Sequence, residues 1–248
     1  MHNYYLGFKF MLSYFTLFPI RFQKSDNLAS ASVLAAMLFW LPLAGLLLGT
    51  VSVGLYLIVE KLGWLSALIA ALSYPILYGF IHTEAVMDVA DALYAKHAGK
   101  DAYAVIKEPT VGAMGVLWAI TVLLLKTAVL TYLFQHKAFL LILTVPIVSR
   151  LGLLFLLFTQ KFRSSFIEKM QIAFTQNTFF ASLLFFTLIG MLLNGWHYLI
   201  LLSSGLFFST LFSKQLKRKL GFLNGDVLGT TLESTEIILF ILGALLWL

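Results

Sequence analysis

The chain has 248 residues, 60% of them hydrophobic and 11% charged, and a mean hydropathy of +0.93. No water-soluble core of this size needs that much apolar surface, so a soluble globular protein is excluded. The absence of cysteine rules out disulfides and thiolate metal sites. The net charge of +6 is spread over several loops, which fits membrane orientation and anionic substrates better than nucleic acid.

Residues 4–20, from Tyr4 to Ile20, are aromatic-rich and reach Pro19, with Lys9, Arg21 and Lys24 nearby. They read as an interfacial or re-entrant helix. The first long apolar run begins near Val33, is too long for the h-region of a signal peptide, and lacks a small-residue cleavage pattern after it. Spans are expected at 33–59, 64–81, 114–134, 139–158, 178–194, 197–212 and 231–248, where runs of about 20 residues carry little charge. Trp40, Trp64, Trp196 and Trp247 lie near span ends, as interfacial aromatics do. The expectation is an all-α, polytopic integral membrane bundle forming one transmembrane domain over 1–248, without internal repeats.

The connections alternate in length. The short ones, 60–63, 135–138 and 195–196, hold Lys61 and Lys137; the amino-terminal segment and the long connections 82–113, 159–177 and 213–230 hold nearly all other cations. The excess of Lys and Arg marks the cytoplasmic side. Glu84, Asp88, Asp91, Glu108 and Asp226 fall on that same side.

The stretch His82-Thr83-Glu84-Ala85-Val86-Met87-Asp88-Val89-Ala90-Asp91 follows the second span. If it is helical, Glu84, Asp88 and Asp91 at i, i+4 and i+7 lie within roughly 60° of one another. Carboxylates that close repel one another and are costly to desolvate. A hard cation such as Mg²⁺, bound through one or two carboxylates plus substrate phosphates, removes both penalties. The plainer reading is a solvated helix face. His82 points about 120° away from Asp88 on the helical wheel and is a poor co-ligand.

Downstream, Pro109 breaks a helix, and Gly112 and Gly115 let backbone approach closely at the next helix start, where N–H groups could receive phosphate oxygens. The alternative is a loop with small residues for helix packing. A second turn, Asn224-Gly225-Asp226, follows the basic run Lys214 to Lys219 and adds cations and another carboxylate. Lys126 and Arg150 lie inside spans, while Glu233 and Glu236 open the last one. Such groups are either ion-paired or facing a wet cavity. Here that means a structural pair with Glu233 or Glu236, or a phosphate-holding pocket. No serine elbow, HExxH or P-loop is present, so covalent nucleophilic hydrolysis is not supported.

Taken in order, these motifs resemble the cobalamin synthase (adenosylcobinamide-GDP ribazoletransferase) family. The matching segments are Phe15 to Pro19, Leu41 to Gly49, His82 to Ala92, Glu108 with Gly112 and Gly115, Lys126, Ser149-Arg150, and Asn224 to Glu236. Glu84 stands where the family pattern has Asp, and Ala85 and Ala92 where it has Gly. The resemblance implies Mg²⁺-dependent transfer in which the 5′ oxygen of α-ribazole or α-ribazole 5′-phosphate attacks the phosphate joined to cobinamide in adenosylcobinamide-GDP and GMP leaves. It places the enzyme in the bacterial cytoplasmic (inner) membrane, in contact with the lipid bilayer, with the active site facing the cytoplasm and self-association left open. On this reading Glu84, Asp88 and Asp91 bind metal. Asp226 is a further ligand or holds the acceptor hydroxyl, and Asp91 or Asp226 serves as base. Arg150 and Lys126 meet phosphate charge, and Glu108, Gly112, Gly115, Asn224 and Gly225 bind substrate. Two rivals remain. One is an intramembrane prenyltransferase or CDP-alcohol phosphotransferase, against which stand the missing arginine, glycines and second Asp-x-x-Asp box. The other is a small transporter, for which no corresponding halves are seen.

Overall fold

A computed structural model describes residues 2–248. Among them every regular element is helical: α1 (His2–Phe15), α2 (Ala31–Ile58), α3 (Trp64–Leu77), α4 (Ile81–His97), α5 (Ala102–Val105), α6 (Ala113–Gln135), α7 (Phe139–Thr159), α8 (Ser165–Ala173), α9 (Gln176–Asn194), α10 (His197–Leu220) and α11 (Gly225–Trp247). Six helices, α2, α6, α7, α9, α10 and α11, are long and apolar enough to cross a membrane. A seventh crossing is reached only if α3 and α4, bent by 73° at their junction, count together.

That junction corrects the expected straight span over 64–81. Fourteen helical residues in α3 rise roughly 21 Å, short of the roughly 30 Å hydrocarbon core. Pro75 weakens the last turn of α3, and Gly79 and Phe80 both adopt left-handed backbone, with φ of 63° and 56°. The chain turns there and restarts as α4.

The amino-terminal helix is also shorter than the aromatic run suggests. It ends at Phe15 because the Leu17 N–H leaves the helical ladder and donates to the Leu77 carbonyl (2.8 Å). At the other end of the chain, α11 begins at Gly225, not near 231, because the Asn224 side chain caps it by accepting from the Val227 N–H (3.0 Å). The basic run Lys214 to Lys219 is the end of α10, not a loop.

The most enclosed crossing is α7, with 83% of its apolar window buried, against 22% for α9 and α10. It packs on α2, α9, α10 and α11, while α1 lies along α2. α4 runs past the first turns of α6 and α11, and Gly229 is what lets it close on α11. A Cβ at Gly229 would stand 2.6 Å from the Ala85 methyl. The two ends of the bundle differ. One gathers α4, α5, α8 and the starts of α6 and α11. The other carries the exposed Lys137–Glu60 pair (2.7 Å) and the edge-on contact of His197 with Trp247.

Candidate active site at the acidic end of the bundle

The helical spacing on α4 holds: Glu84 is exposed, Asp88 and Asp91 are half-buried, and Asp226 joins them from the first turn of α11. Asp91, however, is committed elsewhere. Its two carboxylate oxygens accept the Gly112 and Gly115 N–H groups, each at 2.7 Å. The positive end of α6 is therefore filled by a carboxylate of the same chain. The expected phosphate contact at those N–H groups is not what this arrangement offers. The small-residue packing reading accounts for both glycines, since a Cβ at Gly112 would lie 2.5 Å from Asp91 Oδ1 and one at Gly115 would lie 2.7 Å from the Met87 carbonyl.

Glu84, Asp88 and Asp226 remain available. Burial first, and then the charges of Asp226, Glu84 and Asp91, push the Asp88 carboxyl up to about 6. α4 lies outside the six helices that cross on their own. Tyr14 on α1 is likewise pushed up, by burial first and the Asp226 charge second, and both side chains line the same narrow cavity. Among the described residues no three His, Asp or Glu side chains stand close enough to form a metal site by themselves. The donor set still fits a hard cation, because Mg²⁺ takes oxygen ligands and usually draws only one or two from protein carboxylates.

Two cavities meet at Gly225 and Asp226. A narrow one of about 160 Å³ lies under Asp226 between Tyr14, His82, Ala85 and Phe166. A wider one of about 440 Å³ opens between α5, the start of α8 and the turn before α11. Asn224 lines the wider cavity, caps α11 and donates from Nδ2 to Asp226 Oδ2 (2.6 Å), so it orients that carboxylate. Glu108 is exposed on the loop ahead of α6.

Lys126 and Arg150 are not part of this rim. Lys126 is 1% exposed and sits 2.7 Å from Glu233 and 2.6 Å from Glu236; Arg150 is 2% exposed and pairs with Glu236. Tyr78 donates to Glu233 (2.6 Å), and Tyr74 and Ser149 donate to Glu236 (3.0 and 2.8 Å). Two cations and two carboxylates cancel inside the bundle, so the ion-pair reading is the one realised. Neither cation lines the two cavities at Asp226. Residues that the sequence offered only as topology charges, Lys107 and Arg163, do line the wider one. Nothing in their spacing marks them, because they come from separate loops joined only by the fold.

An all-helical bundle with six apolar crossings, its carboxylates and free cations gathered around cavities at one end, defines an integral membrane protein with a polar site at the bundle rim. The family model described as cobalamin-5-phosphate synthase matches residues 7–245. The chain belongs to that family. Relatives named adenosylcobinamide-GDP ribazoletransferase include one from Brevibacillus brevis, 26% identical over 98% of this chain and 99% of the relative. Another, from Chlorobium chlorochromatii, is 30% identical over 84% and 86%. A third, from Clostridium perfringens, is 29% identical over 95% and 96%. No solved structure matches the chain significantly.

Proposed function

We propose that this protein is an adenosylcobinamide-GDP ribazoletransferase, working at the cytoplasmic face of the bacterial inner membrane in the step that joins the nucleotide loop of cobalamin. The observation that carries the reading is the full-length family match together with the gathering of Glu84, Asp88 and Asp226 at one rim. A ribose hydroxyl of α-ribazole or its 5′-phosphate forms the new O–P bond at the phosphate joined to cobinamide. The P–O bond to the GMP phosphate breaks, and GMP leaves with the charge. Asp226 Oδ1 takes the acceptor's proton while Oδ2 is held by Asn224. Asp88 and Glu84 would hold Mg²⁺, which supplies charge neutralisation on the phosphates. The protein's remaining task is positioning, since phosphoryl transfer needs little covalent chemistry from it.

The test is direct. Purified protein in lipid, given adenosylcobinamide-GDP, α-ribazole 5′-phosphate and Mg²⁺, forms the phosphorylated cobalamin and GMP, and chelation stops it. Turnover of a CDP-alcohol or a prenyl diphosphate, with no cobalamin product, would replace this reading by the rival one.

A further inference from the structure

A donor carrying a diphosphate brings negative charge to a rim that already holds several carboxylates. The cations the sequence put forward for it, Lys126 and Arg150, are locked to Glu233 and Glu236. The wider cavity holds a different pair. Arg163 sits on the connection between α7 and α8, and its N–H donates to the Leu223 carbonyl (2.7 Å), which ties that connection to the turn before α11. Lys107 follows α5. Both heads rest on one side chain: Arg163 Cζ is 3.7 Å and Lys107 Nζ 4.4 Å from the centre of the Tyr103 ring. Tyr103 is itself braced edge-on by Phe222 at 5.0 Å.

The guanidinium and the ammonium are thus held in place by an aromatic ring and not by a carboxylate. Among the described residues neither forms an ion pair, although Glu168 and Asp226 line the same cavity. Positioned but uncompensated cations, beside the serine hydroxyls of Ser164 and Ser165, are suited to an anion with several oxygens. A volume of about 440 Å³ lies in the range of small-ligand sites.

We infer that this cavity is the phosphate subsite of the reaction proposed above, with Arg163 and Lys107 as its cations. It rests on that reading for the identity of the ligand. The chemistry recognised is a phosphate, carried either by the nucleotide diphosphate of the donor or by the 5′-phosphate of the acceptor. A phosphate here lies beside Asp226, which borders both cavities, so the reacting groups meet at the start of α11.

The experiment uses the full chain in nanodiscs, unmodified and as Arg163→Gln, Lys107→Gln and the double variant. Both residues are exposed, so folding is expected to survive, which thermal melting checks. A lost charge-assisted hydrogen bond is worth about 1.5–3 kcal/mol, so each single change is expected to raise a substrate KM roughly tenfold or more with kcat nearly unchanged. Arg163→Lys should recover part of the loss, because it restores charge but not the planar fork. Comparing α-ribazole with α-ribazole 5′-phosphate as acceptor separates the sources. A rise seen with both acceptors, in the KM for the donor, assigns the cations to the donor diphosphate. A rise only for the phosphorylated acceptor assigns them to its 5′-phosphate. A double variant with the unmodified KM for every substrate overturns the subsite. If the unmodified protein turns over nothing, the functional reading fails separately, and titration of the same proteins with GMP and with α-ribazole 5′-phosphate still decides. Weaker binding of either in the double variant sustains the anion subsite, and equal binding of both removes it.

Discussion

Asp88 and Asp91 are three residues apart on one helix face, yet the fold gives them opposite tasks. Asp91 spends both oxygens on the Gly112 and Gly115 N–H groups and so holds the start of α6 against α4. Asp88 has charge to spare: burial and three neighbouring acids raise its carboxyl to about 6. For an acid whose folded value lies above its unfolded one, ionisation costs stability; the cost grows as pH rises from about 4 to about 6 and is full above that. A bound cation relieves that cost. Mg²⁺ should therefore raise the melting temperature more at pH 8 than at pH 5.5. Asp88→Asn should express and insert normally while flattening that pH dependence and losing Mg²⁺-dependent turnover. Asp91→Asn should instead lower the melting temperature without added metal, by the equivalent of about 1–3 kcal/mol, since two part-buried N–H groups lose their charged acceptor. The same response to Mg²⁺ in both variants would mean that the two acids share one role. The spacing showed that these acids are neighbours. It could not show which would be consumed by a helix terminus, because that depends on where α6 begins in space.

At the level of helices, the crossings were legible because a run of apolar residues needs a helix to satisfy its backbone inside a bilayer. Departures occur where backbone chemistry outweighs hydropathy. Gly79 and Phe80 split one expected span, the bond from the Leu17 N–H to the Leu77 carbonyl ends α1 early, and the Asn224 cap starts α11 ahead of its apolar stretch. The alanines at 85 and 92, where the related pattern has glycine, cost nothing visible here: Ala92 is fully buried, and the Ala85 methyl fits against Gly229. The charges inside the crossings were legible as residues needing partners, and the partners are Glu233 and Glu236. This network joins α3, α6, α7 and α11 and has no substrate-facing member among the cavity walls described. Lys126→Met should leave a buried carboxylate uncompensated and cost about 3–5 kcal/mol, read as a large drop in thermal stability in detergent. Adding Glu233→Gln to it should recover a good part of the loss, since the charges then balance again. A single Lys126→Met that melts like the parent but has a raised KM would return Lys126 to the substrate.

For the molecule in its membrane, the two ends carry different chemistry, and that difference bears on which way the bundle points. Lys96 in the last turn of α4, Lys169 on α8, and Lys100, Lys107, Lys161 and Arg163 on connections lie at the end that holds the acids, with Lys214 to Lys219 closing α10 there. Lys61 and Lys137 are the Lys and Arg residues of the short connections at the other end, and Lys137 is neutralised by Glu60. So strong a bias supports the proposed orientation, with the acidic end in the cytoplasm, where a charged nucleotide substrate can reach it without crossing the bilayer. The chain contains no cysteine, so single cysteines report position without a background. Lys100→Cys and Lys61→Cys, both at exposed positions, should label oppositely in intact cells. A membrane-impermeant maleimide should reach residue 61 from outside, and residue 100 only after the cells are opened. If residue 100 labels first, the cations of the long connections face the periplasm. The rim of Glu84, Asp88 and Asp226 would then open away from the pool of phosphorylated substrates, and the transfer chemistry would have no supply on its own side.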